Sequence, residues 1–202
     1  MSVSGNRGDS VEAAVDHVLA NRERVFIERD GAPAAVIMAA RELEGRDYTI
    51  AMLSEPKTVR RILEGENALQ AGAMLMGDDL AELDPDGRYL VRPVTRGAPL
   101  AVTARLGGDT RWALVASAPA HSALEELQPH IADAVRKFMF GQLISDPVGV
   151  GVELYGFLAR RLAARVETAL VVFRLDSVKR IVRVVEILNI GGEVGRYDSR
   201  RW

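Results

Sequence analysis

The chain has 202 residues, of which 48% are hydrophobic, with 26 basic and 28 acidic side chains and no cysteine. That length suits one domain or two small ones, and the missing cysteines exclude a disulfide scaffold, a zinc–thiolate site and a thiol nucleophile. The net charge of −2 gives no general sign of nucleic-acid binding, and three scattered histidines do not suit a multi-histidine metal site.

The apolar runs of the sequence are too short for a membrane. They stay far below the roughly 18 residues that a span requires, and the N-terminus lacks the apolar stretch of a signal peptide. We therefore expect a cytoplasmic protein with no membrane partner, and no residue pattern in it indicates a metal or another cofactor.

Charge is distributed unevenly along the chain. The net charge is −3 over residues 1–75, −2 over 76–109 and +3 over 110–202. An acidic first part and a basic last part are expected if the two parts contact each other, or if only the last part binds an anion. Differences of this size are equally compatible with ordinary variation in composition.

The first elements are predicted to be a helix and a β-hairpin. Asp9 and Glu12 form a capping pair, and apolar residues recur with helical spacing as far as Leu19. The Asp30-Gly31 pair then separates two apolar runs, which is a strong hairpin signal.

Two further helices and a polar linker are predicted next. One helix is predicted over 39–53, and Ser54 is predicted to cap another that has Pro56 in its first turn. Residues 76–109 combine turn residues with acidic groups, which makes them the most natural linker in the chain. The linker contains two short β-like runs, 89–91 and 100–103.

The last part of the chain predicts a small α+β unit. A strand over 111–116 leads to a helix capped by Ser117, and Pro129 restarts that helix as the second arm of a helical hairpin. Two long β-branched runs, 168–175 and 180–190, are apolar on both faces and predict central antiparallel strands. The predicted fold class is α+β.

Residues 1 to about 75 resemble the Phd/YefM antitoxins. That family has an N-terminal helix, a strand of the form RVxIxRxG, a PAAV segment and a segment of the form LLSxPxNxRRL. The resemblance implies a domain built from a helix, a β-hairpin and further helices. The matching positions here are Arg24, Val25, Ile27, Arg29, Gly31, the run 33–36, the run 52–54, Pro56 and the run 60–63.

Residues 111 to about 197 resemble the RelE/ParE toxins, which run from an opening strand through two helices to a sheet. The resemblance implies a domain with an antiparallel sheet and a helical hairpin. The matching positions are the runs 112–114, 118–120, 123–124 and 127–129, then Pro147, Gly151, Leu154, Gly156, Leu158 and the run 171–176.

Together the two resemblances imply a natural fusion of an antitoxin to its toxin, self-neutralised within one chain. Residues 1–75 would form the dimerisation and DNA-binding domain, 76–109 a linker or toxin-wrapping segment, and 110–202 the toxin-like domain. A short tether makes the antitoxin–toxin contact intramolecular, with an effective concentration in the millimolar range. A plain soluble spacer is the alternative interpretation of the linker.

Toxins of this family resemble one another in cutting ribosome-bound mRNA by attack of a ribose 2′-hydroxyl on the adjacent phosphate. That reaction needs a base, an acid and cations around the phosphate. Where the family carries basic or tyrosine residues, this sequence has Val152, Tyr155, Ala169 and Leu170. The toxin-like half is therefore predicted to be catalytically degenerate. The weak catalytic candidates that remain are Arg165, Arg196 and Tyr197.

Phd/YefM antitoxins also resemble one another in placing basic groups around the N-terminal helix on operator DNA as two-fold dimers. The candidates for this role are Arg7, Arg22, Arg24 and Arg29. The resemblance implies a homodimer through the N-terminal domain that represses its own operon. Ordinary surface arginines are the alternative interpretation.

The leading hypothesis is therefore a self-neutralised fusion that acts as a DNA-binding autoregulator and is not an enzyme. One alternative is a latent, ribosome-dependent mRNA endoribonuclease that its tethered antitoxin holds inactive. Another is an inert remnant, or an interaction protein that sequesters a related toxin or antitoxin. Some relatives of the toxin fold act on DNA gyrase, which leaves a second toxic mode open.

Overall fold

A computed structural model of the chain describes residues 9–72 and 112–191. The predicted linker and its two β-like runs lie outside these ranges. The described residues form an α+β structure, with five elements in the first range and the remainder in the second.

The first range contains a helix, a two-stranded hairpin and a pair of helices. The elements are α1 (Asp9–Asn21), β1 (Val25–Arg29), β2 (Ala32–Ile37), α2 (Ala40–Leu53) and α3 (Pro56–Ala71). Asp30 and Gly31 form the hairpin turn with φ values of 54° and 79°. Two left-handed residues in succession are the geometry that Asp-Gly turns favour, so the hairpin prediction is confirmed.

The boundary between α2 and α3 differs from the prediction. Ser54 does not cap α3; it ends α2, where its Oγ donates to the carbonyl of Ile50 at 2.7 Å. Glu55 takes the cap position in an extended conformation, with φ −118° and ψ 105°. The residue before a proline is pushed out of the helical region, so Pro56 as the first helical residue places the break at Glu55.

The second range begins with a strand and a helical hairpin and ends in a sheet. Ser117 caps the first helix as predicted, because its Oγ accepts from the backbone N of Ala120 at 3.0 Å. The helical part comprises α4 (Ala118–Glu125), α5 (Pro129–Phe138), a π-helical turn (Met139–Leu143), α6 (Pro147–Val150) and a 3-10 turn (Gly156–Leu158). The strands are β3 (Ala113–Ala116), β4 (Val152–Glu153), β5 (Leu162–Val166), β6 (Ala169–Asp176) and β7 (Ile181–Asn189).

The five strands form one sheet in the order β3-β7-β6-β5-β4. Strands β6 and β7 are central and antiparallel, as predicted, but the sheet as a whole is mixed because β3 runs parallel to β7. Parallel neighbours need a connection of at least a dozen residues, and helices α4 to α6 and strands β4 to β6 all lie between them in sequence. The prediction of a wholly antiparallel sheet was therefore wrong at this edge, and strands β4 and β5 were not predicted.

The main hydrophobic core joins the two ranges. It combines the sheet and helices α4 and α5 with buried residues from α2 and α3. The contribution of α2 and α3 consists of Tyr48, Met52, Ile62 and Leu69. A separate small core lies between α1 and the β-hairpin and contains Ala14, Val18 and Val25. Helices α2 and α3 thus pack with the second half of the chain, while α1 packs with the hairpin.

Candidate functional site

One face of the sheet lies beneath helices α2 and α3. Residues opposite each other on neighbouring strands share a face, and successive residues of a strand alternate between faces. The pairs Arg165 with Leu170 and Val172 with Glu186 therefore put Arg165, Arg174 and Glu186 on one face. We call this surface the covered face, because side chains of α2 and α3 contact it.

Helix α3 contacts this surface through a carboxylate that binds two arginines. Glu66 accepts from Nε and Nη2 of Arg161 at 2.8 and 2.6 Å, and its Oε1 lies 3.6 Å from Nη1 of Arg174. The side chains of Glu66 and Arg161 are 11% and 10% exposed. A two-point, nearly buried pair of this kind fixes the position of α3 on the sheet.

In a second ion pair the arginine belongs to α3 and the carboxylate belongs to the sheet. Arg61 of α3 donates through Nη2 to Oε1 of Glu186 at 3.0 Å, and that carboxylate also accepts from the backbone N of Ile187 at 2.9 Å. Glu186 has no exposed side-chain surface, whereas Arg61 is 42% exposed. Burial raises the pKa of Glu186, and the hydrogen bonds from Arg61 and the Ile187 amide lower it in part.

This burial predicts a pH-dependent stability difference. The folded pKa of Glu186 lies above its ordinary value of 4.5, so the folded state holds the proton more tightly than the unfolded state. The chain should lose stability relative to Glu186→Gln as pH rises from about 4.5 through the folded pKa. Urea unfolding of both proteins across this range measures the difference, with Glu64→Gln on the exposed side of α3 as the control. A difference that is constant with pH would contradict the prediction.

Helix α2 contacts the open edge of the sheet at β4 through a stripe of residues spaced by four. Arg41 donates through Nη2 to the carbonyl oxygens of Val148, at 3.0 Å, and Gly151. One helical turn later Gly45 lies against the backbone carbonyl of Glu153. After another turn, Thr49 Oγ1 accepts from the backbone N of Tyr155 at 2.9 Å. The backbone groups that α2 bonds, at Val148, Gly151 and Tyr155, lie on either side of β4, so α2 holds the segments that flank this edge strand.

Two glycines allow the helices to approach this closely. A Cβ atom on Gly45 would lie 2.1 Å from the carbonyl oxygen of Glu153, and one on Gly65 would lie 2.0 Å from that of Val185. Both glycines are inside helices, where glycine is unfavourable by about 0.5–1 kcal/mol relative to alanine. The absent side chains therefore bring α2 against β4 and α3 against β7.

Of the weak catalytic candidates, Arg165 is within the described residues, and Arg196 and Tyr197 lie outside them. Arg165 donates through Nε to the carbonyl of Glu167 at 2.9 Å. Burial and the hydrogen bond to Glu44 raise the pKa of the Tyr48 hydroxyl, and the nearby Arg165 lowers it. Arg165 thus lies under α2, next to a buried tyrosine of the first half.

The positions at which the family's reactive residues would stand hold different chemistry. Val152, Ala169 and Leu170 are buried aliphatic side chains. The Tyr155 ring lies under the guanidinium of Arg46, which is 4.6 Å from the ring centroid. Burial raises the pKa of the Tyr155 hydroxyl.

The DNA-binding candidates occupy two ends of the hairpin. Arg22 and Arg24 lie between α1 and β1, and Arg29 ends β1 about 16 Å further along the chain at 3.3 Å per residue. Arg24 donates through Nε to Glu42 at 2.9 Å. Arg7 lies outside the described residues. Arg22 and Arg24 therefore precede β1 at one end, and Arg29 lies at the other end of the strand.

Sequence reasoning missed the residues that join the two halves. Arg41, Glu66 and Arg161 carry no motif of their own, and the matched run 60–63 that contains Arg61 did not indicate its contact with the sheet, because these contacts depend on tertiary packing. The signals that could have been used are Gly45 and Gly65, because a glycine inside a helical pattern often marks a close approach of two backbones.

The described residues lack two other kinds of feature. None of their helices is both long and apolar enough to cross a membrane. Within the same residues, no group of three or more histidine, aspartate or glutamate side chains is placed to hold a metal ion.

The chain is similar to part of a solved toxin–antitoxin complex. The match to a chain of the RelBE2 complex from Mycobacterium tuberculosis covers 40% of this chain and 99% of that chain, with 29% sequence identity and a TM-score of 0.39. No protein-family model matches this sequence, and no curated protein matches it.

Proposed function

We propose that this protein is a self-neutralised antitoxin–toxin fusion whose toxin-like half is catalytically degenerate, and that it acts as a dimeric DNA-binding autoregulator. The observation that carries the proposal is the covered face. Glu66 of the first half holds Arg161 and Arg174 of the second, and Tyr48 lies beside Arg165. Three arginines of the second half thus contact side chains of the first half, and on this proposal they are not available to an RNA phosphate.

Catalytic degeneracy is supported by the side chains at the positions where reactive residues are expected. Cleavage through a ribose 2′-hydroxyl needs groups that transfer protons and groups that stabilise a developing charge. Aliphatic side chains at Val152, Ala169 and Leu170 do neither. On this proposal, loosening α2 and α3 in the full chain exposes the sheet without producing a toxin.

Dimerisation is supported by apolar surface on the unit formed by α1 and the hairpin. Contiguous exposed apolar patches often mark protein–protein interaction sites, and Phe26 lies opposite Val36 on one face of the hairpin. Those that are at least 38% exposed here are Val11, Val15, Leu19, Phe26, Ile27 and Val36. A second copy of the same unit is the proposed partner for this surface.

We expect Leu19→Asp to convert the dimer to a monomer. Leu19 is 65% exposed, so the substitution costs the single chain little, whereas a buried and unpaired aspartate would strongly disfavour the interface. Light scattering at micromolar concentration should give the mass of one chain for the variant and of two for the wild type. Val178→Asp, at a residue that is 95% exposed in the second half, is the matched control and should stay dimeric.

The DNA-binding proposal is tested by a mobility shift of the chain's own upstream DNA at moderate salt. The wild type should shift this duplex, and Arg22→Ala combined with Arg29→Ala should bind it at least tenfold more weakly. Each lost phosphate contact should also reduce the salt dependence of log K by about 0.9. Absence of a shift by the wild-type chain would refute this function.

A further inference from the structure

A chain of polar contacts connects Arg24, one of the proposed DNA contacts, to the body of the protein. Nε of Arg24 donates to Oε1 of Glu42 at 2.9 Å. The same oxygen accepts from Nε and Nη2 of Arg46 at 3.2 and 3.1 Å. Arg46 in turn stacks on the Tyr155 ring. The Glu42 carboxylate therefore contacts two arginines of similar exposure, Arg46 at 34% and Arg24 at 39%, of which Arg46 also stacks on the Tyr155 ring.

The ring contact distinguishes the two arginines, because Arg46 is held by both Glu42 and Tyr155. Glu42 is 15% exposed, and Arg24 is 39% exposed. Within residues 9–72 and 112–191, the hydrogen bond recorded for Arg24 uses Nε alone. The guanidinium is a rigid planar fork, so a hydrogen bond at Nε restricts the positions that its two terminal amino groups can take. Those two groups are the ones that can bind an additional oxyanion.

We infer that Glu42 is a positioning residue for DNA binding, which holds Arg24 in the orientation that contacts a backbone phosphate. The inference rests on the proposed function and adds a residue to its DNA site. An arginine side chain loses much rotational freedom when it is immobilised on a ligand. A carboxylate that orders Arg24 before DNA arrives removes part of that cost.

The direction in which DNA affinity changes on removal of Glu42 distinguishes a positioning role from a purely electrostatic one. Removing an acidic group near DNA raises affinity through long-range electrostatics, since the net charge becomes more positive. Removing a positioning carboxylate lowers affinity in spite of that gain. We expect Glu42→Ala to weaken binding about 3- to 10-fold, whereas Glu42→Gln, which keeps an oxygen for Nε, should stay within about 2-fold of the wild type.

The experiment measures the affinity of the full chain for a labelled duplex of its own upstream sequence, by fluorescence anisotropy over a salt series. The variants are Glu42→Ala, Glu42→Gln, Arg24→Ala and the double variant Glu42→Ala with Arg24→Ala. Glu12→Ala on the exposed surface of α1 is the matched control for charge and should bind as tightly as the wild type or more tightly. Thermal unfolding of each protein is recorded in parallel.

If Glu42 acts through Arg24, the double variant binds no more weakly than Arg24→Ala alone. A further loss in the double variant, or Glu42→Ala binding as tightly as the wild type, overturns the positioning role and leaves the proposed function standing. If Glu42→Ala does not fold, the Arg24→Ala variant still tests the inference. An Arg24→Ala protein that binds DNA with the affinity and salt dependence of the wild type overturns the positioning role of Glu42. A wild-type chain that does not bind overturns the proposed function as well.

Discussion

Gly65→Ala should destabilise the protein, although alanine favours a helix more than glycine does. The new Cβ would lie 2.0 Å from the carbonyl oxygen of Val185, so α3 must move off β7 and lose packing around the buried Ile62. Overpacking of a core costs about 1–3 kcal/mol, and the gain in helix propensity offsets at most about 1 kcal/mol. Because the obstacle is backbone, we expect a net loss of about 2 kcal/mol in urea unfolding.

Gly141→Ala is the matched control for this substitution. No atom lies within 4 Å of the position of a Cβ on Gly141, so this variant should be as stable as the wild type or more stable by up to about 1 kcal/mol. A Gly65→Ala protein as stable as the Gly141→Ala protein would mean that α3 does not lie against the β7 backbone.

Glu66→Ala should strongly destabilise the contact between α3 and the covered face. It leaves the guanidinium of Arg161 nearly buried without its carboxylate, with hydrogen bonds to the carbonyl oxygens of Phe157 and Ala159 remaining. Breaking a buried ion pair by removing one partner costs about 3–5 kcal/mol. We expect a loss of about 3 kcal/mol by urea unfolding, since the pair retains some exposure.

Glu64→Ala, at an exposed residue on the same helix, should change the unfolding free energy by less than about 0.5 kcal/mol. Replacing both partners, Glu66→Met with Arg161→Met, should recover much of the loss, because well-packed apolar residues can substitute for a buried pair. A Glu66→Ala protein that unfolds like the Glu64→Ala protein would show that the contact between Glu66 and Arg161 is weak.

The sequence predicts much of the secondary structure because those signals are local. Asp30-Gly31 specifies its own turn, and Ser117 specifies its own cap. Runs that are apolar on both faces have to be central strands, as β6 and β7 are. By contrast, β4 has two residues and is stabilised by β5 and α2, so no local pattern indicates it.

The sequence predicted that charged groups of the two halves would meet, but it did not predict which residues form the ion pairs. The uneven charge suggested an acidic front on a basic back, and Glu66 with Arg161 fits that expectation. Arg61 with Glu186 reverses it. Net charge sums over all residues of a segment, whereas a contact depends on the few that packing brings together.

At the candidate site, too, local sequence patterns predict some features, and tertiary packing decides the others. Residue patterns predict positions at which reactive groups would be replaced, and three of these positions, Val152, Ala169 and Leu170, are buried and aliphatic. Motifs cannot indicate that Tyr48 lies beside Arg165, because these residues are far apart in sequence and meet through the fold. The role proposed for Glu42 likewise depends on a contact 18 residues away in the chain.

The most direct test of the account is whether the two halves remain together when the chain between them is cut. A specific protease site inserted between Gly87 and Arg88 allows cleavage of the purified, folded protein, followed by size-exclusion chromatography with light scattering at micromolar concentration. Because α2 and α3 contribute to the same core as the sheet, both fragments should elute as one complex with the mass of the uncut protein. Separation into two folded fragments would contradict the claim that the first half covers the second.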